Sequence, residues 1–222
     1  SVNRFVNEAK AFTGARFQKA YQLDFGTMIL RMAVPREKIE EGEDTTKELR
    51  DSVLKDPDQE GISLTDGEGR WQRFDLFIRI GGYAFISPRI NAEMPREPSP
   101  YAMPLRKELG NRVFEEIEQV NMDRVVILRF SPGMDEPEGR ELVLELFGDG
   151  NIILTSGGKI IAPYTSRSWS SRSVKRGEDF SPPPSGTDPR TVSLESMISI
   201  MESDDDDLVH FLIRKMGLPP IY

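Results

Sequence analysis

Few residues here can carry covalent or metal chemistry, and the groups that stand out are charged instead. Cysteine is absent and histidine occurs once, at His210. That excludes thiol catalysis, disulfides and zinc–thiolate sites. His210 lies inside a helical pattern beside Phe211 and reads as structural. Asp204 to Asp207 lack the spaced ligands and glycine of a calcium loop, so they read as the solvated start of a helix. Gly148-Asp149-Gly150-Asn151 has neither dinucleotide nor P-loop spacing and reads as a hairpin turn between two apolar strands. No catalytic residue, metal or cofactor is expected.

Two groups suit polyanion recognition. The first is Asp123-Arg124, placed directly before the apolar run "VVILRF". In extended chain, neighbouring side chains point to opposite faces and do not neutralise each other side by side. Arg supplies a planar, permanently charged fork for phosphate or a base edge. Asp can hold that fork or accept from a base amino group or a ribose hydroxyl. The pair is either a solvated strand end or a recognition element. The second group is Lys159, Arg167, Arg172, Lys175 and Arg176, interleaved with Tyr164, Trp169 and several serines. Bases, stackable rings and small hydroxyls fit an RNA backbone or an exposed base. The competing reading is a soluble loop around a buried Trp.

The chain that must position these groups has 222 residues, 37% of them apolar, and a net charge of −8. It can hold a substantial core. A whole-surface grip on nucleic acid is excluded, so phosphate contacts must be local. No apolar run approaches the roughly 20 residues of a membrane span. The chain starts without Met, shows no signal peptide and stops just after a helical pattern, so it reads as a fragment.

"VNRFVNEAKAFTGA" has helical spacing, and "RFQKAYQLD" and "TMILRMAV" read as strands joined at Asp24-Phe25-Gly26. Residues 35–70 are dense in charge and read as a surface insertion between neighbouring strands, with a short helix in "EDTTKELRDSVLKD". Gly81-Gly82 turns "RFDLFIRI" into "YAFISP". After a proline-rich stretch, Pro104 suits the first turn of a short helix ending near Gly110. "RVFEEIEQV", "RVVILRF", "ELVLELF", "NIILTS" and "KIIAPY" follow as close-spaced strands. The pattern predicts an α+β fold: an antiparallel β-sandwich with flanking helices over residues 1–182. A proline linker at 183–190 and the start of a helical domain at 191–222 complete it.

"GARFQKAYQLD", "YAMPLRKELGNRV", "IEQVNMDRVVILRF", "LVLELFGDGNIILTSGGKIIAPY" and "VKRGEDFSPPP" occur in this order. In this they resemble the NFACT-N domain of the NEMF-type ribosome quality-control factors. Prokaryotic members were labelled fibronectin-binding protein A-like. The resemblance spans nearly all of residues 1–184 outside the charged insertion. Pro104 and Glu108 depart from it, standing where the family usually has Leu and His. A family aspartate near the N-terminus would fall at or before Ser1.

The resemblance implies a fold similar to the N-terminal domain of formamidopyrimidine-DNA glycosylases, followed by a truncated helix-hairpin-helix domain. It also implies a cytoplasmic, non-enzymatic module, with no membrane partner. Such a module binds large ribosomal subunits obstructed by peptidyl-tRNA and recruits tRNA for C-terminal tailing of stalled chains. In the family the Asp-Arg pair recognises tRNA, and it carries over to Asp123 and Arg124. Homodimerisation of the full-length protein stays open. Two alternatives compete. A DNA glycosylase-like enzyme would need an N-terminal Pro-Glu, whereas this chain opens "SVNRF". A fibronectin-binding adhesin would need secretion or anchoring signals, and this chain shows none.

Overall fold

The computed structural model describes residues 1–40, 47–48, 50–52, 70–121, 123–184 and 192–202. Two antiparallel sheets carry the fold. The first has four strands in sequence order: β1 (Arg16–Asp24), β2 (Thr27–Pro35), β3 (Trp71–Arg79) and β4 (Ala84–Ser87). The second is a five-stranded meander of β5 (Phe114–Gln119), β6 (Val125–Phe130), β7 (Arg140–Glu145), β8 (Asn151–Ser156) and β9 (Lys159–Pro163). The α+β architecture with antiparallel sheets is the one the strand spacing predicts.

Period-two alternation sets which faces meet. Met28, Leu30, Met32 and Val34 of β2 and Phe74, Leu76 and Ile78 of β3 share one core with Val126, Leu128 and Phe130 of β6 and Leu142 and Leu144 of β7. Phe130 bridges the sheets, its ring 6.4 Å from Phe17 and 5.9 Å from Phe114. Each fully buried ring or branched side chain contributes about 1.5–3 kcal/mol.

Helix α1 (Val2–Lys10) is capped by the Ser1 hydroxyl, which accepts from the Arg4 N–H at 3.3 Å. It buries Phe5, Val6 and Ala9 against β4 and β5. A later helix, Ala102–Leu109, packs Leu105 and Leu109 inward against β1, and its Arg106 donates to the Ala20 carbonyl at 2.8 Å. Pro104 is its third residue, where the missing N–H costs no intrahelical bond. Glu108 accepts from the nearly buried Arg140 at 2.9 Å.

The second face of the meander is covered too. Val125, Val143, Ile153 and Ile160 form a small separate core with Val174, and Phe180 packs on it. The segment after β9 is therefore a strap lying on the sheet. It contains a two-stranded hairpin, β10 (Arg167–Ser168) with β11 (Ser173–Val174). The soluble-loop reading of this segment fails for that reason: Val174 is buried and Phe180 partly so, while Trp169 is 45% exposed.

β2 and β3 pair without interruption from Thr27↔Arg79 to Pro35↔Trp71, and the Arg36 N–H donates to the Arg70 carbonyl at 2.9 Å. Residues 36–70 are thus the connection of one hairpin. They open with α2 (Arg36–Glu40), and residues 47, 48 and 50–52 are helical. The insertion is not wholly detached. Arg50 is buried and donates to the carbonyls of Ala11 and Lys38. After the strap, a last described helix runs from Leu194 to Glu202 with Leu194, Ile198 and Met201 exposed. His210, Asp204 to Asp207 and most of the proline linker lie outside the described residues.

Candidate nucleic-acid interface

Hairpin tips from both sheets meet at one end of the molecule. The Ile80 N–H donates to the Gly26 carbonyl at 2.8 Å, which joins the β1–β2 and β3–β4 turns. The β3–β4 turn then touches the β7–β8 turn backbone to backbone. A Cβ on Gly81 would stand 2.4 Å from the Gly148 oxygen, and one on Gly150 would stand 2.0 Å from the Gly81 nitrogen. Both residues also have positive φ, so only glycine fits this contact.

Asp123 and Arg124 sit in the β5–β6 turn at the same end. Asn121 takes a left-handed φ of 52°, and the Val120 N–H donates to the Val125 carbonyl at 2.9 Å to close the turn. The Asp123 N–H donates to Val120 at 3.1 Å, and the Asp123 carbonyl accepts from the Gln119 amide at 2.8 Å. The Arg124 carbonyl accepts from the Leu146 N–H at 2.8 Å. The pair's backbone is fixed from both neighbouring strands. The Arg124 side chain is exposed and its guanidinium donates to the Gly82 carbonyl across the sheet junction. Asp123 is half-buried.

The basic segment divides into three kinds. Lys159 pairs with Asp179 at 2.9 Å and Arg167 with Asp149 at 3.0 Å, in solvent-facing ion pairs. Such pairs hold little energy and exchange readily for another anion. Arg172 differs. Its guanidinium meets Glu145 at 2.6 Å, donates to the Ser181 carbonyl at 3.1 Å and lies 4.9 Å from the Trp169 ring. A buried guanidinium held by Glu145 and Ser181 is not open to RNA, and this corrects the expectation for Arg172. Lys175 and Arg176 are exposed, with no ion pair to the described residues. Arg167 reaches the shared end through Asp149, which lies in the β7–β8 turn. Lys159 opens β9, and Lys175 and Arg176 lie along the strap instead.

Sequence reasoning picked out Trp169 but missed the other rings. Phe25, Tyr83, Phe85, Phe147 and Trp169 are the exposed aromatics among the described residues. They lie in or beside the turns just described and in the strap hairpin. Phe77, Tyr83 and Phe85 are stacked with interplanar angles of 18–22°. The signal was present in "FIRIGGYAF", which places rings on one face of a hairpin. An exposed guanidinium, an adjacent carboxylate and ring faces can hold phosphate, a base edge and a base plane.

Residues 60–222 match the family model described as the NFACT N-terminal and middle domains. The chain belongs to this family. Among NFACT relatives, the archaeal Rqc2 homolog aRqcH of Methanocaldococcus jannaschii is 44% identical over 126 residues, covering 55% of this chain and 18% of that protein. The Drosophila melanogaster ribosome quality control complex subunit NEMF homolog is 34% identical over 89 residues, covering 40% of this chain and 9% of that one. The chain spans less than a quarter of the length of the curated relatives it matches. Solved structures share this fold. The N-terminal domain of fibronectin-binding protein PavA from Streptococcus pneumoniae superposes with a TM-score of 0.66 at 20% identity, covering 97% of this chain and 75% of that one. A fibronectin/fibrinogen-binding protein domain from Streptococcus suis gives 0.67 at 20% identity, with 97% and 72% covered.

Proposed function

We propose that this chain is the tRNA-reading module of a ribosome-associated quality-control factor. It would help hold tRNA on large subunits obstructed by peptidyl-tRNA, for C-terminal tailing of the stalled chain. The NFACT membership and the Rqc2 and NEMF names of its relatives support the setting. The observation that carries the site is Arg124. Its backbone is fixed by Leu146 and its exposed guanidinium is steered by the Gly82 carbonyl, so the fork is held out at a rigid sheet end. A solvated strand end would not need a charged side chain anchored across two sheets.

In this reading Asp123 and Arg124 contact tRNA, while peptide-bond formation belongs to the ribosome, so the module is non-catalytic and works in the cytoplasm. Arg167, Lys175 and Arg176, with Lys159 at the start of β9, add backbone contacts. Residues 1–182 form the NFACT-N domain, with the glycosylase-like sandwich, ahead of a linker at 183–190 and a helix-hairpin-helix domain from 191. The adhesin reading draws only on the names of structures that are 20% identical, and these carry the fold alone.

The test is Asp123→Ala, Arg124→Ala in the full-length protein. It should melt like the parent and still co-sediment with large subunits, while recovering roughly 5- to 150-fold less tRNA. Parental tRNA recovery would reduce the pair to a solvated strand end.

A further inference from the structure

We propose that Tyr83 and Phe85, backed by Phe77, form a stacking platform for an unpaired RNA base beside Arg124. The proposal rests on the RNA-binding reading above and gives that site a second contact.

The rings lie on the outer face of the four-stranded sheet. Phe77 and Phe85 face each other across β3 and β4 with centroids 4.8 Å apart and planes 22° from parallel. Tyr83 lies 5.9 Å from Phe77 and 6.2 Å from Phe85 in nearly the same orientation. The common orientation gives one patch of parallel ring planes. Phe77 already shields the sheet, whereas Tyr83 remains 57% exposed and adds little burial to the fold.

Position supplies the occupant. Tyr83 follows Gly82, whose carbonyl accepts from Arg124. Along β3 the same face reads Arg73, Asp75, Phe77, Arg79. Asp75 is neutralised by Arg31 at 2.8 Å and also accepts from the Ile90 N–H at 3.1 Å. The rings are therefore flanked by exposed arginines, with the intervening acid already paired. Arg79 itself meets Asp24 in an exposed pair at 3.0 Å that a phosphate can displace. Ring planes between guanidinium groups match a base between two phosphates. Stacking tolerates any base, so this contact supplies affinity, and Asp123 with Arg124 supplies selection.

The experiment compares a short oligouridylate with an abasic ribose-phosphate chain of the same length, by fluorescence anisotropy on this chain at fixed salt. The parent should prefer the base-bearing oligomer by roughly 5- to 150-fold. Tyr83→Ala, Phe85→Ala should lose that preference, keep the abasic affinity and melt like the parent. Tyr83→Phe, Phe85→Tyr should keep it. If the double alanine variant does not fold, Tyr83→Ala alone carries the test. A parent without preference, or an alanine variant that retains it, overturns the platform while leaving the Arg124 reading intact. Failure of the parent to bind either oligomer, together with parental tRNA recovery by the Asp123, Arg124 variant, overturns both. Binding of a proline-rich peptide to the rings, undisturbed by oligouridylate, would assign the patch to a protein partner and overturn the proposal.

Discussion

The Arg172 guanidinium and the Glu145 carboxylate stand 2.6 Å apart, with side-chain exposures of 6% and 4%. This buried pair pins the strap to the end of β7, next to the turn that holds Asp123 and Arg124. Removing one partner leaves a buried charge uncompensated, at a cost of about 3–5 kcal/mol. Arg172→Ala should therefore lower the midpoint of chemical denaturation sharply. Replacing both, Glu145→Leu with Arg172→Met, should recover most of the loss, because a well-packed apolar pair is often neutral. A double variant as unstable as the single one would show that the pair is not the source.

Lys175 and Arg176 should behave in the opposite way. Both are exposed, so replacing them with Ala should change stability by no more than about 0.5 kcal/mol. If both touch phosphate, the slope of log affinity against log salt should become shallower by roughly 1.4 for single-stranded RNA. An unchanged slope removes the strap from the interface.

The Gly81 contact gives a prediction about the junction of the sheets. Gly81→Ala forces a side chain against the Gly148 carbonyl at a φ of 70°. Strain and displacement together should cost about 1–3 kcal/mol. Because Arg124 is steered by the next residue's carbonyl, tRNA binding should fall along with the melting temperature. Gly158→Ala serves as control: it has positive φ but open space around it, so it should cost stability without touching tRNA binding.

Stability should also depend on one acid. Glu136 accepts from Arg112 and from Arg140, and these hold its carboxyl below the ordinary value of 4.5, the Arg112 hydrogen bond first. A group whose pKa is depressed in the folded state stabilises above its unfolded pKa, and that stability is lost as pH falls through the folded value. Melting temperature should thus fall as pH drops below about 4.5, and Glu136→Gln should flatten part of that limb. An identical acid limb in the variant would show that other carboxylates govern it.

The meander was legible because "VVILRF", "ELVLEL" and "NIILTS" announce strands and "GDG" announces a tight turn. The neighbouring of β2 and β3 was legible from their shared pattern, and Arg124 from its place ahead of β6. Arg172 was not, because a guanidinium in a serine-rich stretch looks the same whether it faces water or a carboxylate 27 residues away. Glu145 likewise alternates with leucines as a solvent-facing residue would, yet the strap covers it. The second small core was hidden for a related reason: Val174 and Phe180 stand singly among charges and show no period. The ring patch was signalled by "FIRIGGYAF", and the pairing of Phe77 with Phe85 realises it.

The unbroken β2–β3 register has a practical consequence. From Thr27↔Arg79 to Pro35↔Trp71 the strands rise about 3.3 Å per residue, which sets the two ends of the connection roughly 26 Å from the end that holds Arg124. Both ends of that connection, at Arg36 and Arg70, therefore stand far from the proposed interface. For the same reason the exposed Lys47 is a natural mounting point for a fluorophore or tether that follows complex formation without standing in its way.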